Sequence, residues 1–192
     1  MSLQKILLRL LLGKRRAEEI RVAKIMRSPD RLRLVEAYFP AFAQSGGRIL
    51  WIGCQAYTTH YPDLLEARGA EVWTTDVDAD AAGFGRAGRH RTGDLKTADL
   101  LFADLTFDAI LCNGVLGFGV NTMVDQQRAL SAMATLLRPG GRLLLGWNTD
   151  RISDPVAAGL TDPYFKRAPF ADLPQRATFP TVTHVFDLFE RR

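Results

Sequence analysis

The chain has 192 residues, 47% of them hydrophobic, which is enough for one domain with a substantial core. Its two cysteines, Cys54 and Cys112, lie in apolar runs, which excludes a disulfide scaffold and favours reduced thiols in the cytoplasm. No Cys/His cluster in the sequence has metal-ligand spacing. The net charge of +4 is uneven, because residues 1–48 hold eleven Lys/Arg and four Asp/Glu, whereas residues 49–192 hold fourteen and seventeen.

The first 46 residues are predicted to form a helical extension. An amphipathic helix ends or bends near Gly13, a second spans Ala17–Met26, and a third begins at Ser28-Pro29-Asp30 and stops at Pro40. The basic extension either packs on the body or contacts a membrane surface or a protein partner. The apolar stripe of the first helix consists of Leu3, Ile6, Leu7, Leu10 and Leu11.

From Gly47 onward, strand and helix patterns alternate. This alternation predicts an α/β fold with a doubly wound, mostly parallel sheet, whose ligands bind at the carboxyl ends of the strands. Thr183–Phe189 alternates like a half-buried terminal strand. The predicted strands are Arg48–Gly53, Glu71–Asp76, Arg89–Gly93, Phe107–Asn113 and Arg142–Trp147, and the predicted helices are Tyr61–Arg68, Ala79–Ala87 and Val124–Leu137.

Asn148–Pro180 contains five prolines and cannot be one long helix. It is predicted to be an irregular segment over the carboxyl edge of the sheet, with a helical turn around Val156–Leu160. Lys166 and Arg167 lie among aromatic residues, which favours a lid that holds an anionic acceptor. A surface loop with a few anchoring aromatic residues is the alternative.

Two candidate ligand residues follow the first two strands. Gly53 lets a ligand approach the backbone closely, although any tight turn after a strand also favours glycine. Asp76 ends the second strand, twenty-three residues after Gly53, where a carboxylate can accept both hydroxyls of a ribose. Capping of the next helix is the alternative role for Asp76.

Two further candidates follow the third and fourth strands. Asp94 can accept an adenine amino hydrogen while Leu95 packs on the ring, or Asp94 can cap a helix. Asn113 can bind a polar ligand beside Gly114, or the pair can form a simple turn.

These landmarks resemble those of class I S-adenosylmethionine (SAM) dependent methyltransferases. The matching pieces are strand-Gly-Cys, strand-Asp, Gly-Asp-Leu, Phe-Asp-Ala-Ile-Leu-Cys-Asn and Leu-Leu-Arg-Pro-Gly-Gly-Arg-Leu-Leu-Leu. The resemblance covers Gly47 to Trp147, with Thr183–Phe189 as the late antiparallel strand of the family. It implies a Rossmann-like methyltransferase domain over residues 47–192, preceded by the N-terminal helices.

The resemblance also implies SAM as cofactor and S-adenosylhomocysteine as product. The family loop usually reads acid-x-Gly-x-Gly-x-Gly, but here Trp51 replaces the acid and Gln55 and Tyr57 replace the second and third glycines. The loop therefore either takes another path or binds SAM weakly or not at all. The residues implied to contact the cofactor are Gly53, Cys54, Tyr57, Asp76, Val77, Asp94, Leu95, Asn113 and Gly114.

Two functions remain open. The first is methyl transfer to a small-molecule acceptor, for which an anionic acceptor is one option, through alignment and exclusion of water. The second is a non-catalytic binding or scaffold protein that kept the fold and lost SAM. No catalytic pair is evident, and His60, Tyr164 and His184 are weak candidates for a base that are better explained as structural or exposed residues.

Other Rossmann-type functions lack their motifs. No Tyr-x-x-x-Lys pair is present, which disfavours a short-chain dehydrogenase, and no Gly-x-x-x-x-Gly-Lys loop is present, which excludes an NTPase. The slightly acidic body and the absence of an Asn/Asp-Pro-Pro-Tyr/Phe sequence after the fourth strand disfavour nucleic acid as a substrate.

Overall fold

The structure is a computed structural model that describes residues 3–192, except the side chains of residues 3–12, 14 and 15. The strands are β1 Arg48–Ile52, β2 Glu71–Asp76, β3 His90–Thr92, β4 Phe107–Asn113, β5 Leu137–Asn148, β6 Phe165–Arg167, β7 Arg176–Phe179 and β8 Val182–Arg191. The helices are α1 Leu3–Met26, α2 Pro29–Arg33, α3 Phe39–Gln44, α4 Tyr61–Glu66, α5 Ala98–Leu101 and α6 Met123–Leu136. Short 3₁₀ turns cover Ala56–Thr58, Ala79–Phe84 and Leu95–Thr97.

The strands form one sheet in the order β3-β2-β1-β4-β5-β8-β6, and β7 also pairs with β8. The strands from β3 to β5 are parallel, and β8 is antiparallel to β5, β6 and β7. The predicted Rossmann-like sheet with a late antiparallel strand is therefore confirmed. Because β1 to β5 run in one direction, their carboxyl ends meet at one edge.

Both faces of the sheet are covered, which explains the almost continuous apolar runs of its central strands. On one face, α5 and α6 pack over Ile110, Cys112 and Leu143. On the other face, the segment from α2 to α3 and helix α4 pack over Trp51 and Leu111.

The N-terminal helices differ from their prediction in two ways. Helix α1 continues to Met26 through Gly13, whose φ of 73° is not helical and marks the predicted bend. The third helix does not stop at Pro40, because a π-helical turn at Leu34–Tyr38 leads directly into α3, and Pro40 lies in the first turn of α3, where a missing N–H costs little. The apolar stripe predicted within residues 3–11 lies outside the described side chains.

The segment from α2 to α3 is part of the core of the body. Four of its side chains, Leu34, Tyr38, Phe39 and Phe42, are fully buried in the same cluster as Trp51. This half of the predicted helical extension packs on the body, which was one of its two expected roles. The domain boundary at residues 46 and 47 stays a prediction.

Helix α6 ends one residue before its predicted end, and β5 begins at Leu137, with Pro139-Gly140-Gly141 inside it. The strand thus starts five residues before its predicted start at Arg142, and its first part is irregular, since Leu137 pairs with Phe107 before a register shift. Helix α4 is also shorter than predicted, ending at Glu66, and Ala79–Phe84 forms a 3₁₀ turn in place of a weak α-helix. Small residues there bury too little apolar surface to support a longer helix.

The proline-rich segment Asn148–Pro180 is more regular than predicted, because β6 and β7 pair along the outer edge of β8. Around Val156–Leu160 the chain makes a hydrogen-bonded turn without a helix. The segment is fixed by Arg176, which binds the fully buried carboxylate of Asp187 through two hydrogen bonds of 2.6 and 2.8 Å. Within residues 3–192, no helix is both long and apolar enough to cross a membrane.

Candidate functional site

A cavity of about 500 Å³ opens at the carboxyl ends of β1 to β4, where the topology predicts a ligand. Its volume lies in the range of roughly 300–1,000 Å³ that is typical of small-molecule sites. Eight of the nine residues implied to contact a cofactor line it: Gly53, Tyr57, Asp76, Val77, Asp94, Leu95, Asn113 and Gly114.

Trp51 holds the loop after β1 in place. Its indole Nε1 donates a hydrogen bond of 2.8 Å to the carbonyl of Gly53. Gly53 has a φ of +95°, and a Cβ on it would come within 3.3 Å of Val115. The positive φ favours glycine here, and a side chain would also crowd Val115. The tryptophan that stands in place of the usual acid anchors the loop.

Cys54 is the one candidate that does not line the cavity. Its thiol is buried, lies 3.8 Å from the carbonyl of Thr75, and has its pKa raised to about 12, chiefly by burial. Its backbone N–H is already bound to the Asp76 carboxylate at 2.7 Å. The thiol stays protonated at neutral pH, and its contact with a cofactor stays a prediction.

The two bulky residues of the loop do not close the cavity. Gln55 is exposed, and its N–H donates to Thr58 Oγ1 at 2.9 Å, which starts the 3₁₀ turn. The Tyr57 ring forms part of the wall and lies 5.5 Å from the guanidinium carbon of Arg31. The side chains that replace the two glycines therefore shape the cavity and leave it open.

Asp76 joins two loops at the end of β2. Its Oδ2 accepts from Cys54 N, and its Oδ1 accepts a hydrogen bond of 2.9 Å from Asp78 N. Asp78, and not Asp76, caps the 3₁₀ turn that follows, because the Asp78 side chain accepts from Asp80 N. Each carboxylate oxygen has a second lone pair, so Asp76 can still accept a ligand hydroxyl.

Asp94 is built in the same way at the end of β3. Its Oδ1 accepts a hydrogen bond of 2.9 Å from Lys96 N, and its Oδ2 lies 3.3 Å from Lys96 Nζ. Leu95 is buried beside it, whereas Val77, on the neighbouring loop, is 67% exposed. This part of the wall therefore combines a carboxylate with apolar surface, which suits a flat ring that carries hydrogen-bond donors.

Asn113 differs from the two carboxylates because it is buried and unpaired. Both side-chain amide atoms are buried and lack a hydrogen-bond partner among the described residues, and the residue itself forms part of the cavity wall. A buried polar group without a partner costs free energy, which a ligand bound at this position would recover. Gly114 follows with a φ of +70° and turns the chain away from the cavity.

His184 lies next to Asn113 on the same sheet face. A Cβ on Gly146 of β5 would stand 2.2 Å from Asn113 Oδ1 and 2.8 Å from His184 Nε2, so only glycine leaves room for both side chains. His184 Nδ1 lies 3.2 Å from Asn148 Oδ1. Burial lowers the pKa of His184 to about 4, and Nε2 has no partner within the described chain.

The tautomer of His184 follows from its neighbours. Asn148 Nδ2 donates to Thr183 Oγ1 at 2.9 Å, and Thr183 Oγ1 donates to Asp150 at 2.7 Å. This leaves Asn148 Oδ1 to accept from His184 Nδ1–H, and Nε2 carries a lone pair. Of the other base candidates, His60 is exposed and Tyr164 packs against the core beside Phe165.

Lys166 and Arg167 do not reach the cavity, so the interpretation of these cations as acceptor ligands is wrong. Both lie in β6, where Lys166 pairs in register with Glu190 and forms an ion pair of 2.6 Å with it. Glu190 also pairs in register with Arg142, six residues before Asn148, which is the residue of β5 that borders the cavity. Antiparallel pairing with β8 therefore carries this part of the segment away from the site.

Sequence reasoning missed several residues of the cavity wall. Arg21 of α1 and Arg31 of α2 reach it from the N-terminal helices, and Phe118 and Asn148 border it beyond β4 and β5. Only the net positive charge of the N-terminal segment pointed to the two arginines, because their position depends on how α1 and α2 pack.

A family model described as a methyltransferase domain matches residues 50–145. No curated protein matches the chain. The solved structures that it resembles include the N-methyltransferase NodS from Bradyrhizobium japonicum WM9, at 16% identity and a TM-score of 0.64, over 86% of this chain and 98% of that one. NodS has also been solved in complex with S-adenosyl-l-homocysteine, and that structure matches with a TM-score of 0.60 at 16% identity, over 88% of this chain and 96% of that one.

Two further similar structures are a TehB-like SAM-dependent methyltransferase from Corynebacterium glutamicum and a SAM-dependent methyltransferase from Clostridium acetobutylicum. The first is 20% identical, has a TM-score of 0.60 and covers 91% of this chain and 100% of that one. The second is 9% identical, has a TM-score of 0.63 and covers 90% of this chain and 98% of that one.

Proposed function

The chain belongs to the methyltransferase domain family, and we propose that it transfers a methyl group from SAM to a small-molecule acceptor. The observation that carries this proposal is the convergence of Asp76, Asp94 and Asn113 on one cavity of about 500 Å³. They stand at, or within two residues of, the ends of three different strands, and all three residues line the same space.

The residues of the cavity fit SAM in two ways. Asp76 and Asp94 keep free lone pairs for the hydroxyls of a ribose and the amino group of an adenine. The unpaired amide of Asn113 lies at the other end, where the polar methionine part of SAM would recover the cost of its burial. When bound, SAM supplies a methyl group on a sulfonium, which is already activated for transfer.

The protein's own contribution is alignment and exclusion of water. Val115 and Phe118 form the apolar part of the wall after β4, and Phe118 is 51% exposed at the rim. An acceptor held between this wall and Asn113 would face the methyl group without competing water. The two cysteines are free and buried, which supports a cytoplasmic protein.

Titration calorimetry of the full chain with SAM and with S-adenosylhomocysteine tests the proposal. We expect Asp76→Ala to weaken both ligands about ten- to a hundred-fold, because a charged hydrogen-bond acceptor is lost. The matched control is Asp78→Ala, since Asp78 is exposed two residues further on and does not line the cavity.

A second ligand separates ribose binding from loop anchoring, because Asp76 also holds Cys54 and Asp78. The 2′-deoxy analogue of S-adenosylhomocysteine should lose less affinity than the parent when Asp76 is replaced. Equal losses of affinity for the two ligands would mean that Asp76 only anchors the loop. Wild-type protein that binds neither ligand at millimolar concentration would favour the non-catalytic alternative and contradict the proposal.

A further inference from the structure

One wall of the cavity comes from outside the matched family region. Residues 50–145 match the family model, whereas Arg21 and Arg31 reach the cavity from α1 and α2. Two of the positive charges of the N-terminal segment therefore lie at the cavity.

Arg31 is a largely buried cation with few partners. Its side chain is 12% exposed, and its Nε lies 3.7 Å from Asp30 Oδ2, which is too long for a hydrogen bond. Its guanidinium carbon lies 5.5 Å from the centroid of the Tyr57 ring, and its charge opposes the rise in the Tyr61 pKa that burial causes. A guanidinium has five N–H donors, and these contacts leave several of them unused.

Arg21 is in a different electrostatic state. Its side chain is 54% exposed and forms a bidentate ion pair with Glu18, including a hydrogen bond of 2.8 Å from Nε to Oε2. Its charge is therefore largely neutralised at the rim. Arg31, which is more deeply buried and less completely paired, is the stronger anion-binding group of the two.

The charges divide the cavity into two ends. Asp76 and Asp94 place carboxylates near β2 and β3, whereas Arg31 lies on the face covered by α2, close enough to His184 to lower the pKa of that residue further. A complementary ligand has hydrogen-bond donors at one end and an anionic group at the other. Planar guanidinium groups bind carboxylates through two parallel hydrogen bonds.

We infer that Arg31 forms an anion subsite in this cavity and that the subsite binds a carboxylate. This inference rests on the proposed function. The carboxylate can come from two sources, the amino-acid end of the methyl donor or an acidic acceptor. In both cases the N-terminal helices complete the site, and the region matched by the family model does not contain it.

The test compares S-adenosylhomocysteine with its decarboxylated analogue, 5′-deoxy-5′-(3-aminopropylthio)adenosine, by calorimetry. If the donor supplies the carboxylate, Arg31→Ala should weaken S-adenosylhomocysteine about ten- to a hundred-fold and leave the analogue unchanged. Arg31→Lys should recover part of the loss. Arg27→Ala is the control, because this substitution removes the same charge at an exposed residue that does not line the cavity.

A second arm titrates sodium acetate against the free protein and against the S-adenosylhomocysteine complex, with the melting temperature as readout. If the acceptor supplies the carboxylate, Arg31→Ala leaves both nucleoside ligands unchanged, but acetate raises the melting temperature of the wild-type complex and not that of the variant. Equal weakening of both nucleosides by Arg31→Ala, or no effect in either arm, would overturn the inference. Failure of wild-type protein to bind S-adenosylhomocysteine contradicts the proposed function instead, and acetate binding to the free protein still tests Arg31.

Discussion

The two sides of the sheet's carboxyl edge are built in different ways. On the β2–β3 side, Asp76 and Asp94 are at least partly exposed and each accepts an N–H from a residue two positions further along the chain. On the β4–β8 side, Asn113 and His184 are buried, come from strands far apart in sequence, and keep unpaired polar atoms. The first side is formed by local turns, whereas the second holds buried polar atoms whose lack of partners favours binding of a ligand.

The test with the largest expected effect compares two arginine–carboxylate pairs. Arg176→Ala would leave the fully buried Asp187 with Trp147 Nε1 as its remaining side-chain donor, and we expect a loss of about 3–5 kcal/mol in the free energy of unfolding. Arg91→Ala on the β2–β3 side breaks a bidentate pair with Asp104, which is 64% exposed, and should cost much less. Urea unfolding measures both, and equal losses would remove the contrast.

The second test fills the space between Asn113 and His184. Gly146→Ala places a methyl group within 2.2 Å of Asn113 Oδ1, so both side chains must move, at a cost of up to about 3 kcal/mol. Gly83→Ala is the matched control on the β2–β3 side, because a Cβ there has nothing within 4 Å and its φ is not positive. Thermal unfolding should separate the two variants, and similar melting temperatures would show that the β4–β8 side is loosely packed.

The third test uses pH. Burial lowers the pKa of His184 from the ordinary 6.5 to about 4, with Asp30 opposing and Arg31 adding to the shift. The unfolded chain therefore binds a proton that the folded chain does not, and stability is complete above pH 6.5 and falls as the pH drops toward 4. We expect the wild type to lose about 2 kcal/mol between pH 7 and 4.5 relative to His184→Gln.

His90 gives the control for the pH experiment on the other side of the sheet. Its pKa is also lowered by burial, but it is less buried and its Nδ1 lies 2.9 Å from Thr74 Oγ1. His90→Gln should therefore change the pH profile less than His184→Gln. A pH profile that His184→Gln does not flatten would mean that this imidazole is accessible to water.

Sequence reasoning succeeded where position along the chain is enough. Asp76 ends β2, Asp94 follows β3 by two residues, and each accepts an N–H from its own turn, so the strand pattern placed them correctly on the cavity wall. It failed for Lys166 and Arg167, because proline content and composition do not show that β6 pairs antiparallel with β8 at the far end of the sheet. It also missed Arg31, since no local pattern reveals which side of α2 faces the cavity.

The sequence alone determined the α/β class, the parallel core of the sheet, the terminal strand and the carboxyl-edge residues, because hydrophobic periodicity and turn residues act over a few positions. The antiparallel direction of the terminal strand was implied by the family resemblance. Tertiary structure alone decided that Trp51 anchors the loop in place of an acid, that Gly146 separates Asn113 from His184, and that α2 brings Arg31 to the cavity. Burial, and with it the cost of an unpaired charge or amide, depends on contacts between residues far apart in the chain, which no short segment of sequence contains.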